Sequence, residues 1–203
     1  MIRVLICYPF LICIVVLLPD LVKKAMIEDA LHKRRDATFT IWFLTKMLAN
    51  KKPFRSIFYW RVRNAFLDDN KRLPGVLSLF LLKVISIVFP ELDTVEISVN
   101  SGSIGGDFCL PHGHCIINAE RIGSHVSILQ GVTIGRDLKG ARPVIDDNVI
   151  IYPNTVIVGD CHIGHNTFIG AGCFVNYDVP PYSTLKSAKA NIYEWNSESK
   201  KLV

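Results

Sequence analysis

The chain is short of acid where it is richest in apolar residues. Residues 1–93 hold 15 Lys and Arg against 8 Asp and Glu, a net +7, whereas residues 94–203 hold 8 against 10, a net −2. The first half is therefore basic and greasy together, a composition suited to an anionic surface or to buried packing rather than to an acidic solvating segment. The six cysteines, at positions 7, 13, 109, 115, 161 and 173, show no CxxC spacing. That removes zinc-ribbon and thioredoxin-type motifs and reads as the reduced thiols of a cytoplasmic protein. No P-loop, no GxGxxG fingerprint and no metal-ligand spacing occurs in the second half, so phosphate-loop and dinucleotide chemistry have no motif there and metal is not expected. A spanning apolar run is missing as well. Val4–Leu18 is apolar for fifteen residues, broken only by Tyr8 and Pro9, against the ~20 that a bilayer-crossing helix needs. Leu18, Pro19 and Asp20 follow it in place of a small-residue cleavage site, which argues against a signal peptide.

What is present is a period of six. Every sixth residue from Ile104 is aliphatic: Ile104, Leu110, Ile116, Ile122, Ile128 and Ile134, then, after one interruption, Ile145, Ile151, Ile157, Ile163, Ile169 and Val175. A helix repeats near 3.6 and a strand near 2. A strict six is the mark of a parallel β-helix, in which three six-residue units close one triangular coil. Counted in eighteens, residues 104–180 make about four coils. Val126, Val132, Val149, Thr155, Cys161, Thr167 and Cys173 take the fifth place of their units, where small or β-branched side chains point inward. The fold class expected is mainly β, a β-helix over 93–185, preceded by a helical region over 1–92 and followed by a tail over 186–203.

The N-terminal region carries two features of its own. In Lys51–Phe66, Arg55, Arg61 and Arg63 interleave with Phe54, Phe58, Tyr59 and Trp60. Such interleaving serves single-stranded nucleic acid in some proteins, but an amphipathic helix with its aromatics packed on neighbours is the commoner arrangement, and nucleic acid is not expected as a partner. Leu73–Phe89 is a second apolar run with Lys83 as its only charge. Two greasy helices in a basic half suit either a peripheral membrane surface or burial between subunits.

Chemistry is expected where the repeat is disturbed. The unit Leu110–Cys115 holds two histidines, His112 at its third place and His114 at its fifth. Acyl transfer to a hydroxyl needs a base that works near neutrality, and imidazole is the natural one. A carboxylate on the other ring nitrogen would orient it. Glu96 lies sixteen residues before His112, close to one coil of eighteen, with Asp93 and Asp107 as alternatives. The other disturbance is Ile134 to Ile145, eleven residues where six are due, which extrudes five residues from a corner together with the basic side chains Arg136, Lys139 and Arg142.

The segments Ile122–Gly135 (IGSHVSILQGVTIG), Ile163–Gly172 (IGHNTFIGAG) and Asp178–Ser183 (DVPPYS) resemble the left-handed β-helix acyltransferases, in particular serine acetyltransferases and the polysaccharide O-acetyltransferases related to them. The resemblance implies an acetyltransferase using acetyl-CoA, with the pantetheine arm in a groove between adjacent subunits of a homotrimer. It places the base on His112, with His114 in reserve and a carboxylate near Glu96. Gly135, Pro153 and Ala171 match donor-contacting positions, and Lys189, in Ser187–Asn191, stands where a small proline-containing motif is usual; Arg142, with Arg136 and Lys139 on the extruded loop, is placed to reach the phosphates of such a donor or to meet charge developing on the thioester oxygen, the alternative being a solvated basic loop. Two departures concern the acceptor: Pro111 replaces an acidic residue before the histidine, and Arg142 replaces a second histidine before a proline. They turn the expectation from free serine to a sugar hydroxyl of a surface polysaccharide or its precursor. Serine O-acetyltransferase, sugar N-acetyltransferase and a non-catalytic scaffold are the alternatives.

Overall fold

Each six-residue unit of the second half lays down one short parallel strand and a corner, and strands eighteen or so residues apart pair to make three flat walls. The computed structural model describes residues 2–32, 38–65, 73–91, 94–99 and 103–188. The first wall stacks β1 (Val95–Ile97), β2 (Cys115–Ile117), β5 (Thr133–Gly135), β8 (Val156–Val158) and β11 (Phe174–Val175). The second stacks β3 (Arg121–Ile122), β6 (Val144–Ile145) and β9 (His162–Ile163), extended by bridges of Ile104 to Ile122 and of Val179 to Ile163. The third stacks β4 (Ser127–Ile128), β7 (Ile150–Ile151), β10 (Phe168–Ile169) and β12 (Thr184–Leu185), with Cys109 bridged to Ser127. Every wall therefore has five rungs, and the left-handed β-helix has about five coils rather than four. The extra rung, β1, precedes the stretch in which the period of six is legible.

Eleven of the twelve aliphatic positions from Ile104 to Val175 are 4% exposed or less. The exception corrects the register. Ile116 is 49% exposed, while Cys115 and Ile117 on either side are buried, and Ile117 rather than Ile116 pairs with Ile134. The spacing there is seven and then five, so one residue is gained between Leu110 and Ile117 and returned before Ile122. The inward fifth places behave as expected: Val126, Val149, Thr155 and Thr167 are fully buried, and Thr155 donates its hydroxyl to the Gly170 carbonyl at 3.0 Å. Burial raises the thiols of Cys115, Cys161 and Cys173, Cys161 to about 11, in keeping with a packing role. At Gly123 the next coil's backbone lies 2.6 Å from where a Cβ would stand, so glycine is required there. Ile134→Val, which removes one methylene from the column, is expected to cost about 0.5–1.5 kcal/mol in denaturant unfolding.

The first half is helical: α1 (Ile2–Leu17), α2 (Asp20–Leu31), α3 (Ile41–Asn50), α4 (Lys52–Ala65) and α5 (Leu73–Val88). Thr40 caps α3 by accepting from the Phe43 amide at 3.0 Å. Its far end is closed by Arg55, which donates to the Leu48 and Ala49 carbonyls. Helix α4 buries Phe54, Phe58, Tyr59 and Trp60, so the aromatics pack inward and the arginines serve the fold. Arg61 is the seam. Its guanidinium takes both carboxylate oxygens of Asp29 on α2, at 2.7 and 3.1 Å, and donates to the Ile104 and Gly105 carbonyls of the first coil. Asp29 in turn accepts from the Phe108 amide at 2.8 Å. One buried ion pair thus ties two helices to the β-helix.

Candidate active site at one edge of the prism

The residue gained between Leu110 and Ile117 is accommodated as a bend over Pro111–Gly113, and the bend turns both histidines of this unit outward. His112 and His114 are exposed, and the inward place expected for His114 is taken by Cys115. His114 has a left-handed backbone, φ 65°, and its carbonyl accepts from the Gly131 amide at 2.8 Å. In later coils the same corner is turned by Gly131, Asn154 and Gly172, all with positive φ. His114 thus occupies a turning position that glycine or asparagine fills elsewhere, whereas His112 is not called upon to turn the chain.

The edge carrying these histidines runs down the prism between the third and first walls. Gly131 donates to His114, Asn154 to Gln130, and Gly172 to Pro153, each to the coil before it. Pro153 and Ala171 therefore lie on the histidine edge. Gly135 and Arg142 do not. Gly135 ends β5 on the far side of the first wall, where its carbonyl accepts from Gly159, and the extruded loop leaves from there. Asp137 folds that loop: its side chain accepts from the Lys139 and Ala141 amides at 2.9 Å each, and Leu138 stands fully exposed at the tip. The positions that the resemblance assigns to the donor are thus divided between two edges of one chain, separated by the length of a three-residue strand, ~10 Å. Lys189 lies outside the described residues.

The carboxylate expected beside the base is not where the count of eighteen puts it. The first coil spans 20 residues, from Val95 to its partner Cys115, and sets Glu96 against Ile116. No hydrogen bond or ion pair joins Glu96 to His112, and Glu96 instead accepts from Ser98 at 3.3 Å. Asp107 is engaged elsewhere, with one oxygen on Nδ1 of His32 from the helical region and the other 2.7 Å from Nδ1 of His125. Asp93 lies outside the described residues. Of the remaining histidines, His162 pairs with Asp146 at 2.9 Å and His165 stacks edge-on against Tyr182. Burial tends to raise Asp146, but hydrogen bonds from His162 and Arg121 outweigh it and hold the carboxyl below the ordinary aspartate range. Among the described residues no group of three His, Cys, Asp or Glu side chains is arranged to hold a metal ion.

A cleft of about 440 Å³ opens between the helical region and the first coil, walled by Met47, Phe54, Phe108 and Leu110 with Lys51 at its side, and bounded by Pro111. His112 follows Pro111 directly, so its Cα stands one peptide, about 3.8 Å, from the cleft's rim residue. The volume falls within the range of small-molecule sites. An exposed imidazole, a cleft ending beside it and a groove-forming edge of stacked turns together can receive an acceptor hydroxyl and take its proton. No local pattern in the sequence marks the cleft, because its two walls, from the helical region and from the first coil, are about fifty positions apart.

Comparison with known proteins agrees with this architecture. Residues 142–176 match the bacterial transferase hexapeptide family of six repeats. The chain is 33% identical over 124 residues to the serine acetyltransferase of Bacillus subtilis, covering 59% of this chain and 57% of that one. It is 26% identical over 188 residues to that of Haemophilus influenzae, covering 90% of this chain and 66% of the relative. Among solved structures, the Neisseria gonorrhoeae serine acetyltransferase in complex with serine superposes with TM-score 0.56 at 29% identity, over 86% of this chain and 70% of the other. A serine acetyltransferase in complex with CoA superposes with TM-score 0.53 at 26% identity, over 80% and 65%. Repeat, coil and edge geometry are those of a left-handed β-helix built from hexapeptide repeats. The chain's similarities are to serine acetyltransferases, and it spans just under three fifths of the Bacillus subtilis relative's length. None of these relatives is a polysaccharide O-acetyltransferase, so the sugar acceptor expected from Pro111 and Arg142 finds no support among them.

Proposed function

We propose that the protein is an acetyl-CoA-dependent O-acetyltransferase whose acceptor is serine, with His112 as general base. The observation that carries the reading is the outward bend at Pro111–Gly113, which presents an imidazole on the edge shared by Pro153 and Ala171. Relatives solved with serine and with CoA supply the acceptor and donor classes. In the reaction His112 accepts the hydroxyl proton as the oxygen attacks the thioester carbonyl. The tetrahedral intermediate then collapses, the C–S bond breaks, and the imidazolium returns its proton to the departing thiolate. Because Gly135 and the loop of Arg142 lie on the other edge, the donor groove is completed by a neighbouring chain, and a cyclic trimer closes three such grooves. Arg142 would meet the donor phosphates there.

A sugar hydroxyl is a second reading. It is favoured by Pro111 in place of an acid beside the base, and by a cleft of about 440 Å³ that exceeds the needs of serine. Release of CoA thiol from acetyl-CoA, assayed with L-serine, an amino sugar and an oligosaccharide in parallel, separates the readings. Serine-dependent release is expected, oligosaccharide-dependent release would move the acceptor, and no release with any of them would leave a scaffold.

His114→Gly separates the two imidazoles. It relieves a left-handed backbone at a non-glycine residue, so stability is expected to hold or rise by about 0.5–1 kcal/mol. Turnover should stay within about threefold of wild type if the base is at 112, and collapse if it is at 114.

A further inference from the structure

Helices α1 and α5 pack against each other and contribute Cys7, Leu11, Ile14, Leu82 and Ile85 to the helical core, yet their outer faces are apolar too. Leu5, Ile6 and Val16 on α1 are 52–71% exposed, and Val76, Phe80 and Ile87 on α5 are 62–80% exposed. Neither helix contains an acidic residue, and Lys83 is the only charge in α5. Isolated exposed apolar side chains are ordinary, but two adjoining helices that keep large ones outward along their whole length mark a surface that is covered in use.

Three observations decide what covers it. Each helix has 16 residues, a length of about 24 Å, against a hydrocarbon core of ~30 Å, and no helix among the described residues is long and apolar enough to cross a membrane. Helices of this length suit a surface position at a bilayer and not a crossing of it. Lys83 stands at the same helical stripe as Phe80 and Ile87 and has no ion-pair partner among the described residues. Against a second copy of this face it would be desolvated opposite its own equivalent, with no carboxylate on either side, whereas at a lipid interface the long side chain reaches up to an anionic headgroup. The half of the chain that carries the face has a net charge of +7, and each Lys or Arg held near an anionic bilayer adds about 1 kcal/mol of attraction. We infer that the α1–α5 face docks on the surface of an anionic lipid bilayer, holding the β-helix and its active-site edge in the water beside it.

The inference is independent of the acceptor and of His112. Its test is sedimentation of the full chain with vesicles of phosphatidylcholine alone and of phosphatidylcholine with one quarter phosphatidylglycerol. The wild type should sediment with the anionic vesicles, much less with the neutral ones, and less as salt is raised. The double variant Phe80→Glu/Ile87→Glu changes only exposed side chains. It should weaken vesicle binding at least ~10-fold while its thermal midpoint and its CoA release with a soluble acceptor stay as in wild type. No binding to anionic vesicles, equal binding to neutral ones, or binding that the double variant leaves intact would each overturn the inference. Light scattering covers the remaining alternative: a wild-type assembly that the double variant splits, with no vesicle binding, would show the face to be covered by a second copy.

Discussion

Replacing His112 by alanine is expected to lower the rate of CoA release by about 10²–10⁴-fold, the usual contribution of a positioned general base. The folded state should be unaffected, because His112 is exposed in a bend and makes no hydrogen bond to another described residue. Loss should appear in kcat with KM for acetyl-CoA little changed, since the donor contacts proposed here are made by other residues. With the two histidines only two positions apart, the pair of variants is decisive. Full turnover in His112→Ala together with collapse in His114→Gly would move the base to His114, and full turnover in both would remove this edge from the chemistry.

The second large effect is on stability. Arg61→Met leaves the Asp29 carboxylate and the Ile104 and Gly105 carbonyls buried without their donor, and breaking a buried ion pair from one side costs about 3–5 kcal/mol. The pH dependence adds a signature. Burial pushes the Asp29 carboxyl up to about 6, with Arg61 pulling against it. A carboxyl whose folded value lies above its unfolded one stabilises the fold when protonated, and that contribution is lost as pH rises through the folded value. Without Arg61 the folded value climbs further, so the variant suffers most at pH 7–8 and recovers part of its deficit toward pH 5. Denaturant unfolding of both proteins at pH 5 and pH 7.5 measures this. A gap below about 1 kcal/mol, or one that does not narrow in acid, would mean that the seam is held by apolar packing rather than by the ion pair.

The β-helix was legible because its core is written by a single side-chain class at one spacing. Eleven of the twelve aliphatic positions read from the sequence are inward, and the five-residue extrusion after Ile134 appears where the count breaks, with Val144 pairing Arg121 twenty-three residues before it. The misreadings fall where spacing stops reporting on structure. At residues 110–117 a gain of one residue and its return keep the period of six intact in the sequence, because Ile116 and Ile117 are both isoleucine and either satisfies the pattern. The first coil runs to 20 residues, so a carboxylate sixteen before His112 lands four positions along the wall from it. Asp29, Asp107 and His32 carry no periodicity at all. What joins them is contact across the seam between helices and coils, which no local pattern encodes. Arg61 was visible as one member of an aromatic and basic run, and only its burial beside Asp29 separates it from its exposed neighbour Arg63.

The central claim is that one catalytic centre is made from opposite edges of two chains, and subunit mixing tests it most directly. His112→Ala protein retains an intact loop edge, and a variant lacking residues 137–142, which removes Arg142 with the loop, retains an intact histidine edge; each should be inactive alone. Unfolded together and refolded as a mixture, they are expected to recover roughly a quarter of wild-type CoA release, the random-mixing share of grooves with both edges intact in a closed cyclic assembly. A mixture as inactive as its parts, formed from chains shown to exchange, would contradict the claim and confine the centre to a single chain.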